Sequence, residues 1–161
     1  MTEHEAEAWV ASWSQRWSAE TGAGWAVCEG DALLGRVGLR ALDLAEGVGE
    51  AAYWVLPAAR GRGVASRALL NVSAWLFTHI GLRRIELAHS TRNEGSCLVA
   101  SKAGYAMEGT KRQQALHEDG WHDMRPARAR TGRRSQHRTP SRLRILLRRP
   151  PGQLFGAARR S

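Results

Sequence analysis

Acidic residues stop at Asp123 in this 161-residue chain, although arginines run on almost to its end. The first 123 residues hold all 15 Asp and Glu against 12 Lys and Arg. Residues 124–161 hold 12 more basic residues, every one an arginine. The formal charge of +9 therefore describes a tail, which weakens the case for a folded body built as a basic nucleic-acid surface. Cysteine is scarce: Cys28 and Cys97 are too few for a disulfide framework, and a reduced, cytoplasmic setting is expected. Long apolar runs are missing too. The longest uncharged stretch near the middle, residues 68–82, includes Asn, Ser, Thr and His, and is too short and too polar to span a bilayer. The first five residues are acidic where a secretory leader is basic, so neither a signal peptide nor a membrane partner is expected.

What is present suits one globular domain. All seven tryptophans precede residue 122, and roughly 120 residues can bury a core unaided. Thr2 and Glu5 have capping-box spacing, and Trp9, Trp13 and Trp17 form a helical stripe that reads as core. Trp25 and Val27, then Leu33 to Leu39, alternate around Glu29-Gly30-Asp31 as a hairpin. Residues 41–48 read as a connection, and residues 51–56 as a strand buried on both faces. Ala65, Leu69, Val72, Leu76 and Ile80 predict an amphipathic helix over 64–80. A short strand at 84–88 follows, then a helix capped by Asn93 and closed at Gly104. Strands at 105–117 and 121–124 flank the turn Glu118-Asp119-Gly120. The expected order is α-β-β-β-α-β-α-β-β. His117, His122 and Asp123 either chelate a metal or are ordinary hairpin polar residues.

The segment with the most chemistry runs from Val55 to Ser66. A buried strand stops, a loop with Gly61 and Gly63 follows, and a helix begins. Such glycines let a backbone approach a ligand, a helix N-terminus attracts anions, and Arg60 and Arg62 carry fork-shaped donors for phosphate. The loop is either a pyrophosphate cradle or a tight strand-to-helix turn with two solvated arginines. It is not a Walker loop, since no Gly-Lys-Ser/Thr closes it, and a dinucleotide fingerprint would need a third glycine.

Arg60-x-x-Gly63-x-Ala65 resembles the acetyl-CoA motif Q/R-x-x-G-x-G/A of the GNAT N-acetyltransferase superfamily, and residues 53–57 resemble the strand before it. Asn93-x-x-Ser96 with Lys102-Ala103-Gly104-Tyr105 resembles the second family motif. Glu108-Gly109-Thr110 and Trp121-His122-Asp123 are similar to the closing hairpin of the ribosomal-protein alanine N-acetyltransferase subgroup. The resemblance implies an α/β fold, a mixed and mostly antiparallel twisted sheet with flanking helices. It covers about residues 2–127, and the family's usual first strand and helix are not found before that segment. It implies acetyl transfer from acetyl-CoA to a primary amine, either a protein N-terminus or a small molecule, without a covalent enzyme intermediate. An amide of Val55 or Leu56 would polarise the thioester carbonyl. Arg60, Gly61, Arg62, Gly63, Val64, Ala65 and Ser66 would hold the pyrophosphate, and Asn93 would sit where the cofactor arm enters.

Where many members place an acidic tyrosine this chain has Ala100, and Ser96 carries the nearest hydroxyl. Ser96 is therefore either the group serving the leaving thiolate or a helix-start residue. The candidate bases are Glu50, His89 and His117. No resident metal is implied. Residues 128–161 are expected to be a disordered Arg-rich tail, either a contact for ribosomal RNA or another polyanion or an extension without function. An exposed sheet edge left by the absent strand is expected to favour a homodimer. Two rival readings remain at this stage: a degenerate acyl-CoA-binding domain, and a nucleic-acid-binding or ribosome-binding protein acting through the tail.

Overall fold

The structure, a computed structural model, describes residues 3–131. Thr2 of the expected capping box, and the tail from residue 132 on, lie outside the described residues. The chain folds as α1 (Glu3–Ser18), β1 (Ala23–Glu29), β2 (Ala32–Asp43), β3 (Val48–Val55), α2 (Val64–Trp75), β4 (Arg84–Ser90), α3 (Glu94–Lys102), β5 (Ala106–Met107), β6 (Lys111–His117) and β7 (Gly120–Arg130). The sheet order is β1-β2-β3-β4-β7-β5, with β6 also on β7. Every pairing is antiparallel except β3 with β4. This is the expected mixed, mostly antiparallel architecture.

Apolar spacing places the helices. Val64, Ala68, Leu69, Val72 and Leu76 are all nearly inaccessible and face the sheet core of Val37, Leu39 and Ile85. The helix widens into π-type turns over Leu76–Ile80 and stops at Gly81, whose φ of 81° is left-handed. Trp17 from α1, Trp25 from β1 and Trp75 from α2 meet in one cluster. Trp13 is half-buried, with the Arg36 guanidinium 3.6 Å from its ring centroid. Among the described residues no helix is long and apolar enough to cross a membrane.

Several local expectations need correction. β2 does not end near Leu39 but continues to Asp43, so part of the expected connection is strand. β3 is not buried on both faces: Gly49 and Ala51 are buried, but Tyr53 and Val55 are half-buried and Trp54 is 41% exposed. The cause is that β4 pairs with β3 only through Val48–Glu50, and the strands then part. The single strand expected over 105–117 is broken into β5 and β6 around Gly109, at φ 136°. β7 runs past the expected domain end at residue 127, pairing Arg128 with Glu86 and Arg130 with Arg84. Ala127 and Ala129 pack inward between those arginines, an alternation that the Arg-rich composition hides.

Tyr105 closes the core from the end of α3. Its hydroxyl lies 2.8 Å from Ser73 Oγ, both residues buried, and burial pushes its phenol well above the ordinary tyrosine range while Ser73 pulls the other way. Ser73→Ala leaves the Tyr105 hydroxyl unpaired and is expected to cost about 1–3 kcal/mol. Ser73→Ala combined with Tyr105→Phe is expected to recover much of that loss. Urea unfolding of the single and double variants measures both.

Candidate active site

Beyond Glu50 the two parallel strands diverge, and the gap between them opens toward α3. Donors on a strand alternate sides. The Leu56 amide donates to the Leu34 carbonyl at 2.9 Å, which turns the amides of Tyr53 and Val55 toward the gap. The amide of Leu56, expected as a cofactor contact, is thus taken by the sheet, whereas the Val55 amide faces the gap.

The chain then turns through Pro57–Ala59 into the glycine loop. Gly61 and Gly63 have φ of 74° and 70°, conformations that favour glycine. A Cβ at Gly61 would meet nothing within 4 Å, and one at Gly63 only Ser66 Oγ at 3.8 Å and Arg67 Nε at 3.9 Å. The backbone conformation, rather than crowding, requires these glycines. Gly63 caps α2 without a side chain, leaving helix-start amides for a partner. The loop carbonyls are taken up elsewhere. Ser66 Oγ donates to Gly63 O at 3.1 Å, and Arg67 donates to Gly63 O at 3.3 Å and Arg62 O at 2.9 Å. The Arg62 guanidinium leaves the loop to pair with Glu29 at 2.6 Å.

A cleft of about 570 Å³ lies between this loop and the start of α3. Of the expected cofactor residues, Val55, Arg60, Gly61, Gly63, Val64, Ala65, Ser66 and Asn93 line it; Leu56 and Arg62 do not. Lys102 and Trp54 line it as well, and no carboxylate does. Asn93 caps α3 by accepting from the Ser96 amide at 2.9 Å.

A second cavity of about 130 Å³ continues the gap on the other side of Tyr53 and Ser96, which line both spaces. Glu50 and His89 line it with Arg40. Ser96, Glu50 and His89, expected as catalytic residues, thus meet here at the inner end of the cleft. His89 is buried; its Nδ1 donates to the Ser90 carbonyl at 3.1 Å, and its Nε2 is buried without a partner among the described residues. The Glu50 carboxylate is ion-paired with Arg40. Tyr53 Oη is buried with no partner within hydrogen-bond distance among the described residues. Burial holds its phenol above the ordinary range, and nearby Ser96 works against that.

His117 is not brought to this cavity. Its ring stacks on that of His122 at 4.1 Å. His122 is buried, with Nδ1 2.7 Å from Ser90 Oγ and Nε2 2.8 Å from Asp119 Oδ1. Asp123 accepts instead from the Gln113 amide at 2.8 Å. The three residues weighed as a chelate are thus held by partners in the hairpin and at the end of β4. The His122 network ties the hairpin turn to the loop preceding Asn93, a link that sequence spacing did not reveal. A larger cavity of about 670 Å³ lies at the far end of β3 and β4, around Arg83, Arg84 and Arg128, and contains none of the expected site residues. There Glu108 pairs with both Arg84 and Arg128.

A parallel pair that splays beside a glycine loop and a helix start gives the chain an acetyltransferase-like architecture. A model of the acetyltransferase (GNAT) domain family matches residues 1–106, and the chain belongs to that family. No curated protein matches it. Among solved structures it is similar to the microcin C7 self-immunity acetyltransferase MccE in complex with acetyl-CoA and AMP, at TM-score 0.75 and 14% identity over 81% of this chain and 72% of that one. It is also similar to RimL, the ribosomal L7/L12 alpha-N-protein acetyltransferase in complex with coenzyme A, at TM-score 0.74 and 17% identity over 81% and 73%. A third likeness is to the dodecameric spermidine N-acetyltransferase from Vibrio cholerae in its intermediate state, at TM-score 0.67 and 16% identity over 73% and 70%.

Proposed function

We propose that this protein transfers an acetyl group from acetyl-CoA to a primary amine by direct attack in a ternary complex. GNAT acetyltransferases use acetyl-CoA. The observation that carries the reading is that an acid-free cleft and a small polar cavity meet at Tyr53 and Ser96. The cleft suits a long anionic molecule. Arg60, Lys102 and the helix-start amides supply positive charge for phosphate, and open space above Gly61 lets a ligand approach the backbone.

When bound, acetyl-CoA supplies the acetyl thioester. The Val55 amide, aimed into the gap, is placed to donate to a carbonyl oxygen there, the electrostatic help that acyl transfer needs. His89 Nε2, the ring nitrogen left over when Nδ1 donates to Ser90, takes one proton released by the acceptor ammonium. Ser96 gives a proton to the departing sulfur, and Tyr53, kept protonated by burial, stands behind Ser96. From ammonium to amide the acceptor nitrogen gives up two protons: one goes to His89, and the other replaces the proton that Ser96 passes to the departing sulfur, as the acetyl carbon exchanges its bond to sulfur for one to nitrogen.

Calorimetric titration with acetyl-CoA, followed by thiol release across a panel of amines, tests the reading. Binding without turnover on any amine would reduce the protein to an acyl-CoA-binding domain. Ser96→Ala is expected to lower kcat by about tenfold to a thousandfold and to leave acetyl-CoA affinity unchanged, the signature of a contact made in the transition state. An unchanged kcat with chemistry rate-limiting would make Ser96 a helix-start residue only.

A further inference from the structure

Arg40 occupies an irregularity in the sheet. Leu39 pairs with Ala51 and Ala41 with Glu50, so Arg40 is the residue that the ladder skips. Such bulges re-aim a side chain and recur beside active sites. Here the re-aimed guanidinium reaches across to the Glu50 carboxylate, and both residues line the small cavity with His89, Tyr53 and Ser96. As a stabilising device the pair is weak: its side chains are 59% and 30% exposed, and exposed pairs contribute little. It is not saturated either. Arg40 Nη2 meets Glu50 Oε1, and the other nitrogens of the guanidinium and Glu50 Oε2 have no hydrogen-bond partner among the described residues. The hydrogen bond to Glu50 holds Arg40 above its ordinary pKa against partial burial, so the cavity carries a fixed cation as well as an anion.

That combination selects a kind of amine. A polyamine would gain from Glu50 and be repelled by Arg40. An amine without a carboxylate would leave the guanidinium donors that Glu50 does not take without a partner. A zwitterion satisfies both, with its ammonium on Glu50 beside His89 and its carboxylate on the arginine fork, the geometry in which guanidinium binds carboxylate best. The cavity holds about 130 Å³, roughly four water volumes, enough for the head of such a molecule, while the exposed Arg40 side leaves room for its remainder. Resting on the acetyltransferase reading above, we infer that the acceptor is a small zwitterion with an amine and a carboxylate on one carbon, as in a free α-amino acid, read by Arg40 and Glu50.

The test uses the full chain with free L-amino acids, their amides and spermidine. Direct binding is followed by calorimetry with coenzyme A present, and acetylation by thiol release. The expected result is that at least one free amino acid exceeds its own amide by about tenfold to a hundredfold in both affinity and kcat/KM, the range of one charge-assisted contact. Arg40→Gln is expected to erase that ratio, chiefly through KM, with acetyl-CoA affinity kept, and Arg40→Lys to restore part of it. Equal or better use of every amide, a preference for spermidine, or a ratio unmoved by Arg40→Gln in a variant that melts normally overturns the inference. If acetyl-CoA is not bound, the acetyltransferase reading fails; the binding arm, run without coenzyme A, still decides whether Arg40 reads a carboxylate. An absence of any amino-acid binding overturns the inference even if acetyl-CoA binds well.

Discussion

Replacing Gly63 with glutamate is expected to abolish acetyl-CoA binding while the domain stays folded. Gly63 sits at φ 70° as the cap of α2, at the wall of the acid-free cleft. Any side chain there costs about 1–2 kcal/mol of left-handed strain, but its Cβ meets no atom closer than 3.8 Å. A carboxylate also suits a helix N-terminus, so the helix should tolerate the change. The ligand should not. A new negative charge about 4 Å from a phosphate costs about 4 kcal/mol at the effective dielectric of a protein surface, close to a thousandfold in affinity. Gly63→Ala separates the two terms, because it carries the strain without the charge and should lose far less. Calorimetry beside circular dichroism measures this. Unchanged affinity in a folded Gly63→Glu protein would remove the phosphate role from the loop.

The parts of the site that sequence made legible are those where local chemistry is decisive. Asn93 had to cap a helix because its side chain accepts from an amide three residues on, and Gly61 and Gly63 mark a turn that few other residues permit. The parts that stayed hidden depend on partners distant in the chain. Arg62 looked equivalent to Arg60, yet Glu29 on the first hairpin claims it. Leu56 looked equivalent to Val55 until its bond to Leu34 fixed which amides face the gap. Arg40 carries no motif, because a bulge is a property of two strands in register. The splay itself is the absence of pairing beyond Glu50, which no single strand records. His122 offered only a hairpin reading because its partner Ser90, at the end of β4, is distant in the chain.

Trp25→Ala is expected to be the most damaging single change to the described core. Trp25 is 3% exposed and meets Trp17 edge-on at 6.0 Å and Trp75 at 5.7 Å. It therefore joins β1 to both α1 and α2. Among the described residues β1 has a ladder partner on one side only, β2, so side-chain packing carries more of its attachment than it does for an interior strand. Truncating a buried tryptophan costs about 3–5 kcal/mol, against a whole-domain stability of about 5–15 kcal/mol. Little relaxation can fill the hole, because Trp17 and Trp75 are already stacked on each other at 6.3 Å and would have to separate to enter it. The thermal midpoint should fall by more than about 10 °C. Trp121→Ala serves as the comparison, since Trp121 is 57% exposed on the hairpin, where truncation usually stays within about 0.5 kcal/mol. Thermal and urea unfolding of both variants should separate them widely. If Trp25→Ala melts as high as Trp121→Ala, the three tryptophans are not what fastens the first hairpin, and α1 must be held to the sheet by other contacts.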